Sequence, residues 1–306
     1  MENSKISWTH HTYNPWAGCT KVSPGCKFCY AVLQAARHGT EWGPKAVRRI
    51  PAQSSLEMPR KWNRQAESAG VRFRVFCSSM ADVFEDNPQL VGPRQSLWAL
   101  VRETPHLDYL VLTKRPQNIA SMLPDDWGDG WKHVWLGTSV ESQEFTHRIR
   151  ILADVPCHLR FLSCEPLLGP LQLDLSGAIH WVITGGESGR SAKTCRPMDL
   201  AWVRDIRDQC RQASVAFFHK QLGGWNKEKG GRLLDGLIWD SIPISPAARS
   251  ESATATRSRR SSAKWERMPV SRRLADRLAI AAAADGMSRR DLLEKLLSGA
   301  LDQREL

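Results

Sequence analysis

The sequence predicts an α/β protein, a full or partial (β/α) barrel followed by a small C-terminal module. Three observations carry that expectation. Seven short runs with β character recur through the first two thirds of the chain, polar clusters follow nearly every run, and the composition changes after Pro243. The runs are Ile6-Ser-Trp-Thr9, Phe73-Arg-Val-Phe-Cys77, Tyr109-Leu-Val-Leu-Thr113, Val134-Trp-Leu-Gly-Thr138, Leu159-Arg-Phe-Leu-Ser163, Trp181-Val-Ile-Thr184 and Val215-Ala-Phe-Phe218. The stretches between them are long enough for a loop and a helix, the pattern of a parallel sheet with crossover helices. Seven such units within about 220 residues suit a barrel better than an open sheet.

The polar clusters come next along the chain: Ser78-Ser79-Met80-Ala81-Asp82, Lys114-Arg115, Ser139-Val140-Glu141, Cys164-Glu165-Pro166, Gly185-Gly186-Glu187-Ser188 and His219-Lys220-Gln221. In a barrel the loops after the strands converge on one face, so these clusters would line one pocket. Each alone reads equally well as turn and cap residues. Their repetition at equivalent positions favours a site.

Composition bounds the function class. The chain has 306 residues with 42% hydrophobic and 25% charged, a globular balance. No apolar run is long enough for a membrane span and no signal core opens the chain, so a cytoplasmic protein without a membrane partner is expected. The formal net charge of +11 favours an anionic partner such as nucleic acid. Residues 245–306 carry 13 Lys and Arg against 8 Asp and Glu, so +5 of that charge belongs to a fifth of the chain. The 13 Trp read as packing rather than as base-stacking platforms.

Of eight cysteines, Cys19, Cys26 and Cys29 fall within eleven residues, on a loop punctuated by Gly18, Pro24 and Gly25 directly after the first expected strand. The other five read as small buried hydrophobes. Thiolates are soft donors that suit iron–sulfur clusters or zinc. A structural zinc site needs a fourth ligand, which His10, His11 or His38 would supply. Three cysteines on a 4Fe-4S cluster instead leave one iron open for a substrate or cofactor.

Three cysteines ending in Cys-x-aromatic-Cys after the first barrel strand resemble the motif of the radical S-adenosylmethionine superfamily, with six residues between the first two cysteines where that motif has three. Longer collinear stretches resemble the phage-associated domain-of-unknown-function family 5131. They are Tyr13-Asn-Pro-Trp16 with the cysteines, Ser79-Met-Ala-Asp-Val-Phe84, Leu112-Thr-Lys-Arg-Pro116, Trp135-Leu-Gly-Thr-Ser-Val-Glu141, Phe161-Leu-Ser-Cys-Glu-Pro-Leu-Leu-Gly-Pro170, Gly185-Gly-Glu-Ser-Gly189 and Lys220-Gln221. The resemblance implies a 4Fe-4S cluster on Cys19, Cys26 and Cys29, reduced by an external electron donor. The cluster would cleave S-adenosylmethionine to a 5′-deoxyadenosyl radical that abstracts a substrate hydrogen. By analogy of place, Ser78, Ser79 and Asp82 would meet the methionine amino group, and Ser139 and Glu141 the ribose. Gly185 and Gly186 would permit close approach of a ligand to the backbone. Lys114, Arg115, Glu165, Glu187 and Lys220 would face a polar or anionic substrate, with a nucleic acid or nucleotide the expected class. The alternative is a non-catalytic nucleic-acid-binding regulator with a structural metal in the cysteine loop.

The expected organisation is a barrel over residues 1–243, a basic linker over 244–265, and a module over 266–306. The linker reading rests on Ser, Ala, Thr, Pro and Arg without periodicity. In the module, Leu274, Leu278 and Ala281 suit one helix face, and Ser288 with Asp291 would cap a second helix burying Leu292, Leu293, Leu296, Leu297, Ala300 and Leu301. That stripe needs a partner surface, and a homodimer supplies one. Met268-Pro-Val-Ser-Arg-Arg-Leu274 and the two helices resemble a ribbon-helix-helix module, which implies DNA binding with Ser271 and Arg273 toward the bases. Pro269 and Arg272 depart from that pattern.

Overall fold

The computed structural model describes residues 1–37, 39–189, 191–225 and 231–248. The chain divides into two units, Met1–Ala253 and Thr254–Leu306. The second lies outside the described residues, as do Ser271, Arg273, His38 and the whole expected 266–306 module.

The elements run β1 (His11–Tyr13), α1 (Tyr30–Arg37), α2 (Gln53–Leu56), α3 (Met58–Ala69), β2 (Phe73–Cys77), α4 (Val91–Glu103), β3 (Leu107–Thr113), α5 (Ile119–Met122), β4 (Val134–Ser139), α6 (His147–Ala153), β5 (Arg160–Cys164), β6 (Trp181–Gly185), α7 (Leu200–Gln212), β7 (Ala216–Gln221), β8 (Leu233–Leu234) and β9 (Leu237–Ile238). Strands β1 to β7 form one sheet in chain order, every neighbouring pair parallel. β1 and β7 are its two edges, so the barrel is partial.

Strand alternation sorts the core into two layers. Phe76, Leu110, Trp135, Phe161, Trp181, Ile183 and Phe218 form one cluster with Trp8. Trp8 touches both Phe76 on β2 and Trp181 on β6, with ring centroids 4.7 and 6.0 Å away. Strands four places apart share one plug, so the sheet curls and this cluster is its concave interior. Gly137 on β4 makes room there, because a Cβ at that position would overlap the Phe161 ring.

The other face, with Val75, Tyr109, Val111, Leu136, Leu162 and Val182, packs under the helices. Helix α3 contributes Trp62 and Ala66 at i and i+4 and stops at Gly70, which is left-handed at φ 61°. Helix α7 starts where the Asp199 side chain accepts from Ala201 N at 2.8 Å, and it buries Val203, Ile206 and Cys210. Two connections depart from a regular strand–helix alternation. The β3–β4 link has only a 3-10 turn at Pro116–Asn118 leading into the four-residue α5, and the β5–β6 link has no helix, its place being filled by buried Leu171, Leu175 and Ile179.

The first strand also differs from expectation. Ile6-Ser-Trp-Thr9 has the right alternation, but Trp8 is used as the interior plug, and the strand forms five residues later at His11–Tyr13, where His11 stacks on Trp62 at 4.4 Å. Both sheet edges are covered: Thr12 N donates to Met1 O on one side, and His219 N donates to Trp239 O on the other. Beyond Trp239, Ile242 packs on the concave cluster and Ser245 Oγ donates to Asp108 Oδ1 on β3 at 2.8 Å. The residues just after 243 therefore pack on the body where a free linker was expected to begin.

Candidate functional site

The loop of residues 14–29 leaves β1 at the C-terminal rim of the sheet, and the rim holds it along its whole length. At its start, Asn14 Oδ1 accepts from Met80 N at 2.8 Å, Asn14 Nδ2 donates to Ser79 Oγ at 3.1 Å, and Gly18 N donates to Met80 O at 3.0 Å. Those partners follow β2. From the end of β3, Arg115 Nη2 donates to Thr20 O at 2.7 Å, and its Nη1 lies 3.6 Å from Cys19 Sγ. Arg48, paired to Glu85 at 2.7 Å, donates to Thr20 Oγ1 at 3.0 Å. From the end of β4, Glu141 Oε1 accepts from Ser23 Oγ. After β6, Arg196 donates to Pro24 O at 3.1 Å and its guanidinium lies over the Phe28 ring. Finally Tyr30 OH, at the start of α1, donates to Ser79 O at 3.2 Å.

Carboxylates anchor these braces. Asp82 accepts from Thr113 Oγ1 at 2.6 Å, Arg115 Nη1 at 2.7 Å and two backbone amides. Glu141 pairs with Arg148 at 2.9 Å, with Lys114 Nζ at 3.7 Å. Glu187 takes Arg196 through three nitrogens, and Glu165 takes Lys220 Nζ at 2.5 Å. The buried pairs of Asp82, Glu141 and Glu187 offset their own desolvation only with good geometry, so their value here is positional, whereas Glu165 and Lys220 remain partly exposed.

Each expected site residue of the barrel has a definite place among the described residues. Ser78 is buried and its Oγ has no hydrogen-bond partner among the described residues. Ser79 faces Asn14. Ser139 is buried and its carbonyl accepts from Arg148 at 2.9 Å. Asp82, Arg115, Glu141 and Glu187 are buried and spent on protein partners. Lys114, Glu165 and Lys220 keep roughly a fifth of their side chains exposed. The two glycines differ from expectation because protein fills the space beside them. A Cβ at Gly185 would stand 3.1 Å from Glu165 Cδ, and one at Gly186 would overlap Leu222 O.

The thiols are turned to protein partners. Cys19 Sγ donates to Thr20 O at 3.4 Å and Cys26 Sγ lies 3.7 Å from Ser23 Oγ. Burial and nearby Asp82, against the opposing Arg115, push the Cys19 pKa up to about 12, and burial raises Cys29. Burial works against the charge on Arg115, but Asp82 and Cys19 outweigh it and its pKa is raised. Among the described residues no group of three His, Cys, Asp or Glu is gathered to hold a metal ion. His10 and His11 are engaged at the opposite end, His10 accepting from Arg74 N at 2.8 Å and His11 from Asn3 N at 3.2 Å, so neither completes a zinc site here. The donor set still fits a thiolate-bound group in kind. It has three soft donors on one braced loop beside an arginine, and two buried polar atoms, Trp16 Nε1 within the loop and Ser78 Oγ next to it, have no partner among the described residues.

Sequence reasoning missed Arg48, Arg148, Arg196, Asn14 and Ser23. Asn14 and Ser23 stood inside the motif loop and could have been noted. The arginines carry no local signal.

These features define an open α/β barrel with a cysteine loop braced across its C-terminal rim. The chain belongs to the family described as protein of unknown function (DUF5131), which matches residues 3–243. That span takes in all seven sheet strands and agrees with the family expected from the motifs. No curated protein matches the chain. Among solved structures, a cysteine-to-serine mutant of spore photoproduct lyase is similar at 15% identity, over 84% of this chain and 74% of that chain, with a TM-score of 0.41. No helix of the described residues is long and apolar enough to cross a membrane.

Proposed function

We propose that the barrel is a radical S-adenosylmethionine enzyme acting on a nucleic acid or nucleotide. The observation that carries this is the loop of Cys19, Cys26 and Cys29, braced from the ends of β2, β3, β4 and β6. A 4Fe-4S cluster on those cysteines would supply one electron, from an external donor, for reductive cleavage of S-adenosylmethionine. The chain's own residues then divide by what they have left to offer. Arg115, 3.6 Å from Cys19, offsets negative charge on a deprotonated thiol. Ser78, with an unused buried hydroxyl, is the member of the Ser78, Ser79 and Asp82 set with a hydrogen bond to spare for the methionine amino group. Ser139 is the corresponding candidate for the ribose, because both carboxylate oxygens of Glu141 already accept from Ser23 and Arg148. Glu165 and Lys220 form a partly exposed pair that can hold and pass a proton, and with Lys114 they are the groups offered to substrate.

Anaerobic reconstitution tests the reading. About four iron and four sulfide per chain are expected, lost when Cys19, Cys26 or Cys29 becomes Ala, with S-adenosylmethionine cleaved after reduction. One tightly held zinc and no cleavage would overturn it in favour of a regulator with a structural metal. The proposal extends to residues 266–306 as a homodimerising, DNA-binding module using Ser271 and Arg273. Removing residues 249–306 should lower DNA affinity and flatten its salt dependence, and unchanged binding would leave dimerisation alone.

A further inference from the structure

We infer that Glu141 is a positioning residue that latches the Cys26 end of the loop to the end of β4, acting through the Ser23 hydroxyl and through the space left by Gly25. The inference rests on the cluster reading above and gives Glu141 a different task from the ribose contact that its place suggests. Four observations meet at this carboxylate. Its side chain has no exposure to solvent. One oxygen, Oε1, accepts from Ser23 Oγ, while Oε2 is held by Arg148 Nη1 at 2.9 Å. Its carbonyl accepts from Leu168 N at 2.9 Å, which ties the same residue to the β5–β6 link. A Cβ on Gly25 would stand 2.6 Å from Oε1, closer than real Cβ atoms come.

Gly25 is thus the middle of the three-residue turn Pro24–Cys26, which the Ser23 hydroxyl holds against the carboxylate. Ser23 is the residue before that turn, and Cys26 is its last. A hydrogen bond at one end and close packing in the middle leave the Cys26 backbone little freedom relative to β4. Arg148 in turn holds and aims the carboxylate through that 2.9 Å contact, which is why breaking that pair would be a poor test: an unpaired buried charge threatens the fold itself.

Two variants act from the loop side: Ser23→Ala removes the hydroxyl and leaves the Glu141–Arg148 pair intact, and Gly25→Ala drives a Cβ against Oε1 so that the turn must lift off the carboxylate. In the full chain before iron is added, hydrogen exchange of the amides of residues 23–28 should quicken at least tenfold in both variants, with β4 amides unchanged. After anaerobic reconstitution with ferrous iron and sulfide, both variants should hold less than half the wild-type iron, and the electron paramagnetic resonance signal of the reduced protein should broaden. Ser23→Thr, which keeps the hydroxyl, should restore iron content and line shape. Unchanged exchange in Ser23→Ala and Gly25→Ala overturns the latch. So does wild-type iron content with a wild-type spectrum. A wild-type chain that takes up no iron sinks the cluster reading alone, and the exchange measurement still decides whether the latch exists.

Discussion

The two ends of the barrel are equally buried and built from opposite materials. At the base, Trp8, Phe76, Trp135, Phe161, Trp181 and Phe218 fill the concave interior, and the indole N–H groups of Trp8, Trp135 and Trp181 have no partner among the described residues. At the rim, Asp82, Glu85, Glu141 and Glu187 are buried too, but each is met by an arginine. A buried indole without a partner costs a few kcal/mol at most, and the area its ring removes from water compensates. A buried carboxylate cannot be left alone on those terms. The base therefore sets stability, and the rim sets the position of the loop above it.

The largest effect that would break this division belongs to the base. Trp181 touches Trp8, Trp135, Phe161 and Phe218. Trp181→Ala should cost about 3–5 kcal/mol in denaturant unfolding. If the proposed cluster is bound, the iron content of the folded fraction should stay at the wild-type level. A variant that kept its stability and lost its iron would reverse the assignment of roles.

Acid provides the next test, because it acts on buried histidines of the body, most strongly on His10 and His219. Burial, then Arg74, lowers the His10 pKa to about 4, and burial, then Arg232, lowers His219 to about 4. Unfolded, both have pKa values near 6.5. Between pH 6.5 and 4 the unfolded chain binds protons that the folded chain refuses, so stability falls as pH falls through that window. The slope is at most about 1.4 kcal/mol per pH unit for each histidine. His219→Gln should remove less than half of the total slope, because burial also lowers His11 and His133, read as unfolding free energy at pH 7 and pH 5. An unchanged slope would move the acid sensitivity elsewhere.

How much of this was legible in the sequence follows the same division. Phe73-Arg-Val-Phe-Cys77 reads as β2 to the residue because period-two alternation encodes a face directly. His11-Thr-Tyr13 does not read as a strand, since its burial depends on Trp62 arriving from α3. The three cysteines were legible from spacing. Their braces were not, because Arg196 reaches Pro24 across 172 residues and Arg115 reaches Thr20 across 95. Alternation is a local code, and ion pairing has none. The glycines show the cost of that gap: Gly185 and Gly186 read as room for a ligand, and only the fold reveals that Glu165 and Leu222 occupy it.

The smallest expected stability effect lies at a rim pair in which both side chains are partly open. Lys220 and Glu165 approach to 2.5 Å with their side chains 17% and 19% exposed, and Gln221 Nε2 stands 3.5 Å from the same carboxylate oxygen. Water and Gln221 can take over when the ammonium is removed, so Lys220→Met should cost no more than about 1 kcal/mol. If the pair is offered to substrate, the same variant should keep its iron and its cleavage of S-adenosylmethionine in the absence of substrate, yet lose substrate turnover. A loss of several kcal/mol with turnover intact would place Lys220 among the buried braces and leave the rim with no proton-passing pair. The two readouts separate because a brace acts on the fold, whereas a group facing substrate acts only when substrate is there.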